Sequence, residues 1–115
     1  MTGLREINGV KVLAREFQVG SPKELREYGD RIKDKLGSGI VLLGAGIEGK
    51  AMLTCLVTRD LAENFHAGEI IRQLSGIVGG KGGGRPDMAQ GGGNQPEKLG
   101  EAFEALYALI ENGTL

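Results

Sequence analysis

Aromatic side chains are scarce in this chain: three Phe, two Tyr and no Trp. Unspecific single-strand binders stack bases on rows of such rings, so the composition argues against a general strand-binding platform. Cysteine is reduced to Cys55. One cysteine excludes an internal disulfide, and its place in an apolar run suits a small buried hydrophobe better than a nucleophile. The single histidine, His66, leaves a histidine-based metal cluster without ligands and reads as a residue at the edge of a helix. Charge of one sign is not in excess either. The formal net charge is −1, so no global field draws the chain to nucleic acid and any anion binding must be local. No apolar run is long enough to cross a bilayer. Together with the lone cysteine and a start unlike a signal peptide, this leads to the expectation of a cytoplasmic protein with no membrane partner. What remains is 115 residues, 40% hydrophobic and 25% charged. Residues 1–115 read as a single globular domain, large enough to bury roughly two-thirds of the unfolded surface.

Glycine is what the chain has in plenty. Eight of its 21 glycines fall between Gly79 and Gly93, in the string GGKGGGRPDMAQGGG. Glycine is costly to order and weakens helices and strands. Its concentration here calls for bare amides, positive φ angles or the close approach of another group. Consecutive glycines can turn several N–H groups into one concavity, an anion nest. Arg85 follows Gly82, Gly83 and Gly84, and its guanidinium can grip a phosphate or stack on a base. Lys81 adds a second cation, while Asp87 and Gln90 can read a base edge or a 2′-hydroxyl. From Arg72 to Lys98 four basic residues face two acidic ones, a modest excess of two. An equal case exists for a packing role, in which the glycines bring a helix close to a sheet and Asp87 pairs with Arg85. A valine at Gly83 or Gly84 is expected to impair folding or binding, because a β-branched residue adopts positive φ only at a cost.

The surrounding pattern orders the elements. Asn8-Gly9 joins strands Arg5–Ile7 and Val10–Phe17 in a tight hairpin. Ser21-Pro22-Lys23-Glu24 opens a helix with Leu25, Ile32 and Leu36 on one face, which Gly37 stops. Its charged residues, Arg31 and Lys35 among them, read as a solvated face of mixed sign. Ile40–Leu43 and Ala51–Thr58 are apolar on both faces, as central strands are. A second helix starting near Asn64 carries Ala67, Ile70, Ile71, Leu74, Ile77 and Val78. A third carries Leu99 to Ile110 and stops at Gly113. Met88–Gln90 adds a short strand between the glycine clusters. The order is β-β-α-β-β-α-(β)-α, an α/β (α+β) fold with a small mixed sheet flanked by about three helices. No catalytic constellation is present: no Walker A lysine, no paired Cys-x-x-Cys, no His/Glu metal helix.

The string Gly79-Gly80-Lys81-Gly82-Gly83-Gly84-Arg85-Pro86-Asp87-Met88-Ala89-Gln90-Gly91-Gly92 resembles the signature of the C-terminal domain of alanyl-tRNA synthetases. That domain is akin to the substrate-binding domain of DHH-type phosphodiesterases and RecJ-type exonucleases. The resemblance implies a domain that binds tRNA at its outer corner, where the D and T loops meet, and helps couple aminoacylation to editing of mischarged tRNA. It implies nucleic-acid contacts at Gly80, Lys81, Gly82, Gly83, Gly84, Arg85, Asp87, Gln90, Gly91 and Gly92. In the phosphodiesterases a His follows the glycine triplet. Arg85 in that place favours tRNA binding. It further implies a fragment of a larger multidomain synthetase that is not an enzyme by itself. No cofactor is expected in this chain, since ATP, magnesium and zinc would belong to other domains. The partners implied are alanine tRNA and the other domains, and the isolated domain is expected to be a monomer. Two rivals remain: a phosphodiesterase substrate-binding domain and an oligomerisation module.

Overall fold

The computed structural model describes residues 3–113. Asn8 and Gly9 take φ of 52° and 81°, the pair of positive angles a two-residue hairpin needs. They join strand β1 (Leu4–Ile7) to β2 (Val10–Glu16). Ser21 then accepts from the Glu24 amide and caps helix α1 (Pro22–Leu36). The Glu24 carboxylate returns to the N–H of Gly20 rather than to that of Ser21, one residue beyond a standard capping box. Gly37, at φ 75°, ends the helix as its sequence suggests.

Strands β3 (Ile40–Ile47) and β4 (Lys50–Val57) form a second hairpin, whose turn is Glu48-Gly49 at φ 52° and 79°. The glycine-rich stretch between the two apolar runs reads in sequence as a turn around Gly46 and Gly49, but only Gly49 is in the turn and Gly46 lies within β3. After β4 the chain runs through turns to helix α2 (Ala67–Ile77), which starts later than Asn64 because His66 is its cap, accepting from the Glu69 amide at 3.2 Å. Strands β5 (Gly80–Gly84) and β6 (Met88–Gly93) follow. A 3₁₀ turn at Pro96–Lys98 then leads into helix α3 (Leu99–Asn112), which Gly113 closes in the left-handed conformation.

Six strands form one mixed sheet in the order β1-β2-β3-β4-β6-β5, parallel only between β2 and β3, which α1 connects. Alternation of side chains divides the core. Leu13, Val41, Leu43 and Leu56 point to the face that carries α1 and its Leu25. Val12, Leu42, Leu53 and Cys55 point to the opposite face, against Ile70, Ile71 and Leu74 of α2 and Leu106 and Ile110 of α3. The fold is therefore a mixed α/β sandwich with one helix on one side and two on the other. α1 packs over β3 and β4, so the same face over β6 and β5 carries no helix.

Candidate nucleic-acid interface

Gly80–Gly84 is a strand, not a nest. Gly80 to Gly83 avoid positive φ, and Gly84 sits at 158°, near extended backbone. A nest needs consecutive N–H groups on one side of the chain, whereas an extended strand sends them alternately left and right. The five residues pair with β6, Lys81 opposite Gly92 and Gly83 opposite Gln90. Arg85 closes the turn, its N–H donating to Met88 O at 2.9 Å. By the alternation of an antiparallel ladder, the main-chain groups of Lys81 and Gly83 then face β6, and those of Gly82 and Gly84 face outward along the sheet edge.

The same alternation sorts the side chains. A Cβ at Gly82 would stand 2.6 Å from Ile71 Cγ2 and 2.5 Å from Gly91 Cα, and one at Gly91 2.8 Å from Ile71 Cγ2. These two glycines lie beneath α2, beside the buried Ser75, whose hydroxyl has no hydrogen-bond partner. Gly80 and Gly92 are each closed in by backbone of the neighbouring strand, and Gly84 by Met88 O and Ala89. Close packing thus accounts for most of the glycines. Gly83 is the exception: a Cβ there would meet nothing within 4 Å. The expected strain at this position is absent, because its φ is ordinary and its outer side is open.

Lys81, Gly83 and Arg85 of β5 and its turn share the helix-free face with Met88, Gln90 and Gly92 of β6. Lys81 and Arg85 are exposed and Gln90 is half-buried. Arg85 Nε lies 3.5 Å from Asp87 Oδ1 across the turn, so one cation of the pair is partly neutralised. Lys50 joins from β4: it helps line a shallow cleft of about 410 Å³ with Met52, Gly79, Gly92 and Asn94. Sequence reasoning missed Lys50, because only strand order brings β4 beside β6. Its signal was a cation directly after a Gly turn. Of the ten sequence-selected residues, Lys81, Gly83, Arg85, Gln90 and Gly92 are together on the open face, Asp87 sits at its rim, and Gly80, Gly82, Gly84 and Gly91 belong to the opposite side.

Elsewhere the chemistry is quiet. Burial pushes the Cys55 thiol up to about 12, so it is not a nucleophile. Among the described residues no group of three metal-ligating side chains converges, and no helix is long and apolar enough to cross a membrane.

A mixed six-stranded sheet that ends in two glycine-built strands under one helix defines a class of domain, and the chain belongs to the DHHA1 domain family, which matches residues 9–112. It is 53% identical over 109 residues to an alanine–tRNA ligase of Desulfosudis oleivorans, covering 95% of this chain and 12% of that protein. A second alanine–tRNA ligase, from Pelotomaculum thermopropionicum, is 44% identical over 113 residues, covering 97% and 13%. The chain therefore spans about an eighth of the length of the curated relatives it matches. Among solved structures, the C-Ala domain of Aquifex aeolicus alanyl-tRNA synthetase superposes with a TM-score of 0.87 at 27% identity, covering 94% of this chain and 97% of that one. A DHH-domain protein described as a member of a family of ribosomal proteins shares the fold alone, at TM-score 0.59 and 18% identity, over 94% of this chain and 28% of that one. The resemblance drawn from Gly79–Gly92 to the synthetase C-terminal domain is borne out.

Proposed function

We propose that this chain is the tRNA-holding domain of an alanine–tRNA ligase, and that it grips the outer corner of tRNA with the open face over β5 and β6. In this reading it keeps one tRNA attached while the acceptor end serves aminoacylation and then editing. Catalysis, ATP, magnesium and zinc belong to other domains, and the domain acts in the cytoplasm. The observation that carries the reading is the placement of Lys81, Arg85 and Lys50 around the side-chain-free surface of Gly83 and Gly92, in a chain so similar to those ligases. Bare backbone lets a ribose-phosphate chain approach closely, and the cations at its border supply local attraction that the net charge lacks. The Arg85–Asp87 pair is exposed, so exchanging it for a phosphate costs at most about 1 kcal/mol.

Fluorescence anisotropy with a tRNA transcript tests this. The chain alone is expected to bind weakly, with a shallow salt dependence reflecting few phosphate contacts. The Lys81→Ala, Arg85→Ala double variant lowers affinity and flattens the salt slope by about two. Gly83→Val blocks the approach by bulk alone and lowers affinity while leaving the melting curve in place. Unchanged binding by both variants removes this face from the mechanism.

A further inference from the structure

At the far side of the same sheet face, β2 and α1 bring together features that the mixed charge of the helix hides in the sequence. Arg15 and Phe17 stand two apart at the end of β2 and so project to the same side. Tyr28, Arg31, Ile32 and Lys35 come from α1, and the six line a cleft of about 320 Å³. Phe17 and Tyr28 are neighbours, with ring centroids 5.1 Å apart at an interplanar angle of 60°. The Arg15 guanidinium carbon lies 4.8 Å from the centre of the Phe17 ring, and that of Arg31 lies 5.3 Å from the centre of Tyr28. Two of the chain's five aromatic rings are thus each paired with a guanidinium at one site.

The cations here are not held in ion pairs. Among the described residues the ion pairs are Arg5–Glu104, Arg72–Glu69 and Arg85–Asp87. Arg15 of β2 and Arg31 and Lys35 of α1 have none, although Glu27 and Asp34 lie four residues before and three after Arg31 on the helix. Arg31 and Lys35 are four apart, a like-charge spacing that costs a helix a few tenths of a kcal/mol. Three unpaired cations around a cleft of two neighbouring rings complement a group that is flat on one side and anionic on the other, as an unpaired base with its phosphates is.

We propose that the Arg15–Phe17–Tyr28–Arg31–Lys35 cleft is a second RNA contact, which takes one unstacked base of a loop against its guanidinium–ring layers and the adjoining phosphates on Arg15, Arg31 and Lys35. β2 and β5 are four strand spacings apart, roughly 19 Å. The two contacts are therefore separate, and a folded RNA can touch both at once. The proposal rests on RNA being the ligand of this domain, and the experiment separates the two.

Anisotropy titrations of a tRNA transcript and of a labelled single-stranded RNA hexamer are run with four variants. Arg31→Ala, Lys35→Ala is expected to weaken tRNA binding about tenfold and to flatten the salt slope by about two. Arg31→Lys keeps the charge and the slope but loses the guanidinium plane, and weakens hexamer binding several-fold. Tyr28→Leu weakens hexamer binding roughly tenfold with no change of slope, and Tyr28→Phe restores it. Wild-type affinity in all four, with loss confined to the Lys81→Ala, Arg85→Ala variant, overturns this site and leaves the proposed function standing. Loss confined to the cleft variants supports this site against the glycine face. No binding of either RNA by the wild-type chain overturns both. Variants that keep RNA but lose a poly-glutamate probe assign the cleft to an acidic polypeptide, and the proposal fails.

Discussion

Gly82 and Gly91 meet back to back under Ile71, and the space of one methyl group decides what each can become. Adding side chains there forces α2 off the sheet, because Ile71 is fully buried and cannot turn aside. Gly91→Val is expected to destabilise the fold by more than about 2 kcal/mol. Gly83→Ala should fall within about 1 kcal/mol of wild type, on the stabilising side, since it removes freedom from the unfolded chain without touching anything. Urea denaturation of the two variants checks the contrast, and equal losses would mean that the glycine positions are not sorted by face. Glycine content alone did not separate these roles. A residue without a side chain carries no mark of which side of a strand it faces.

At the scale of elements, a buried phenol ties α3 to the sheet, beside the Arg5–Glu104 pair and the bonds from the Asn8 amide to the last turn of the helix. Tyr107 reaches over to β2, its oxygen accepting from the Ala14 N–H at 3.3 Å and donating to the carbonyl of Gly3. Arg5 of β1 covers its ring at 3.9 Å. Tyr107→Phe keeps the ring and loses the oxygen, and is expected to cost about 1–2 kcal/mol. A shift of the urea midpoint without a change of slope is the expected readout. Most elements were legible in the sequence: Asn8-Gly9, Ser21-Pro22 and Gly113 are local signals whose physics acts within a few residues. β5 was not. Gly-Lys-Gly-Gly-Gly offers neither alternation nor β-propensity, and it becomes a strand because Met88–Gly93 lies beside it and α2 lies above it. The cleft of α1 was hidden for the same kind of reason: Arg31 and Lys35 read as solvent-facing until β2 sets Arg15 and Phe17 beside them.

At the scale of the whole molecule, a hydroxyl and a carboxylate join the end of α1 to the turn after β4. Ser38 donates to Asp60, and this bond, followed by one from Thr58, holds the Asp60 carboxyl below its ordinary 3.8. A depressed carboxyl means that the unfolded chain binds more protons in that range. The contribution is therefore complete above the unfolded value and fades as pH falls through the folded one. Asp60→Asn is expected to be less stable than wild type near neutral pH and to match it in acid, once the pH has fallen below the depressed folded value. Thermal melts at both pH values read this directly, and a gap that persists in acid would contradict the linkage.

The sequence by itself determined the Asn8-Gly9 turn, both ends of α1 and the stop of α3, the two-sided burial of β3 and β4, and the family likeness held in Gly79–Gly92. Each of these depends on a residue and its near neighbours, through φ preference, capping or period. Strand order was left to the tertiary structure, and with it the face each glycine lines, the placing of Lys50 on the same sheet face as Lys81 and Arg85, and the meeting of Arg15 with Tyr28. Those outcomes turn on which non-local surfaces bury the most apolar area together, a quantity that belongs to the assembled core and not to any single segment.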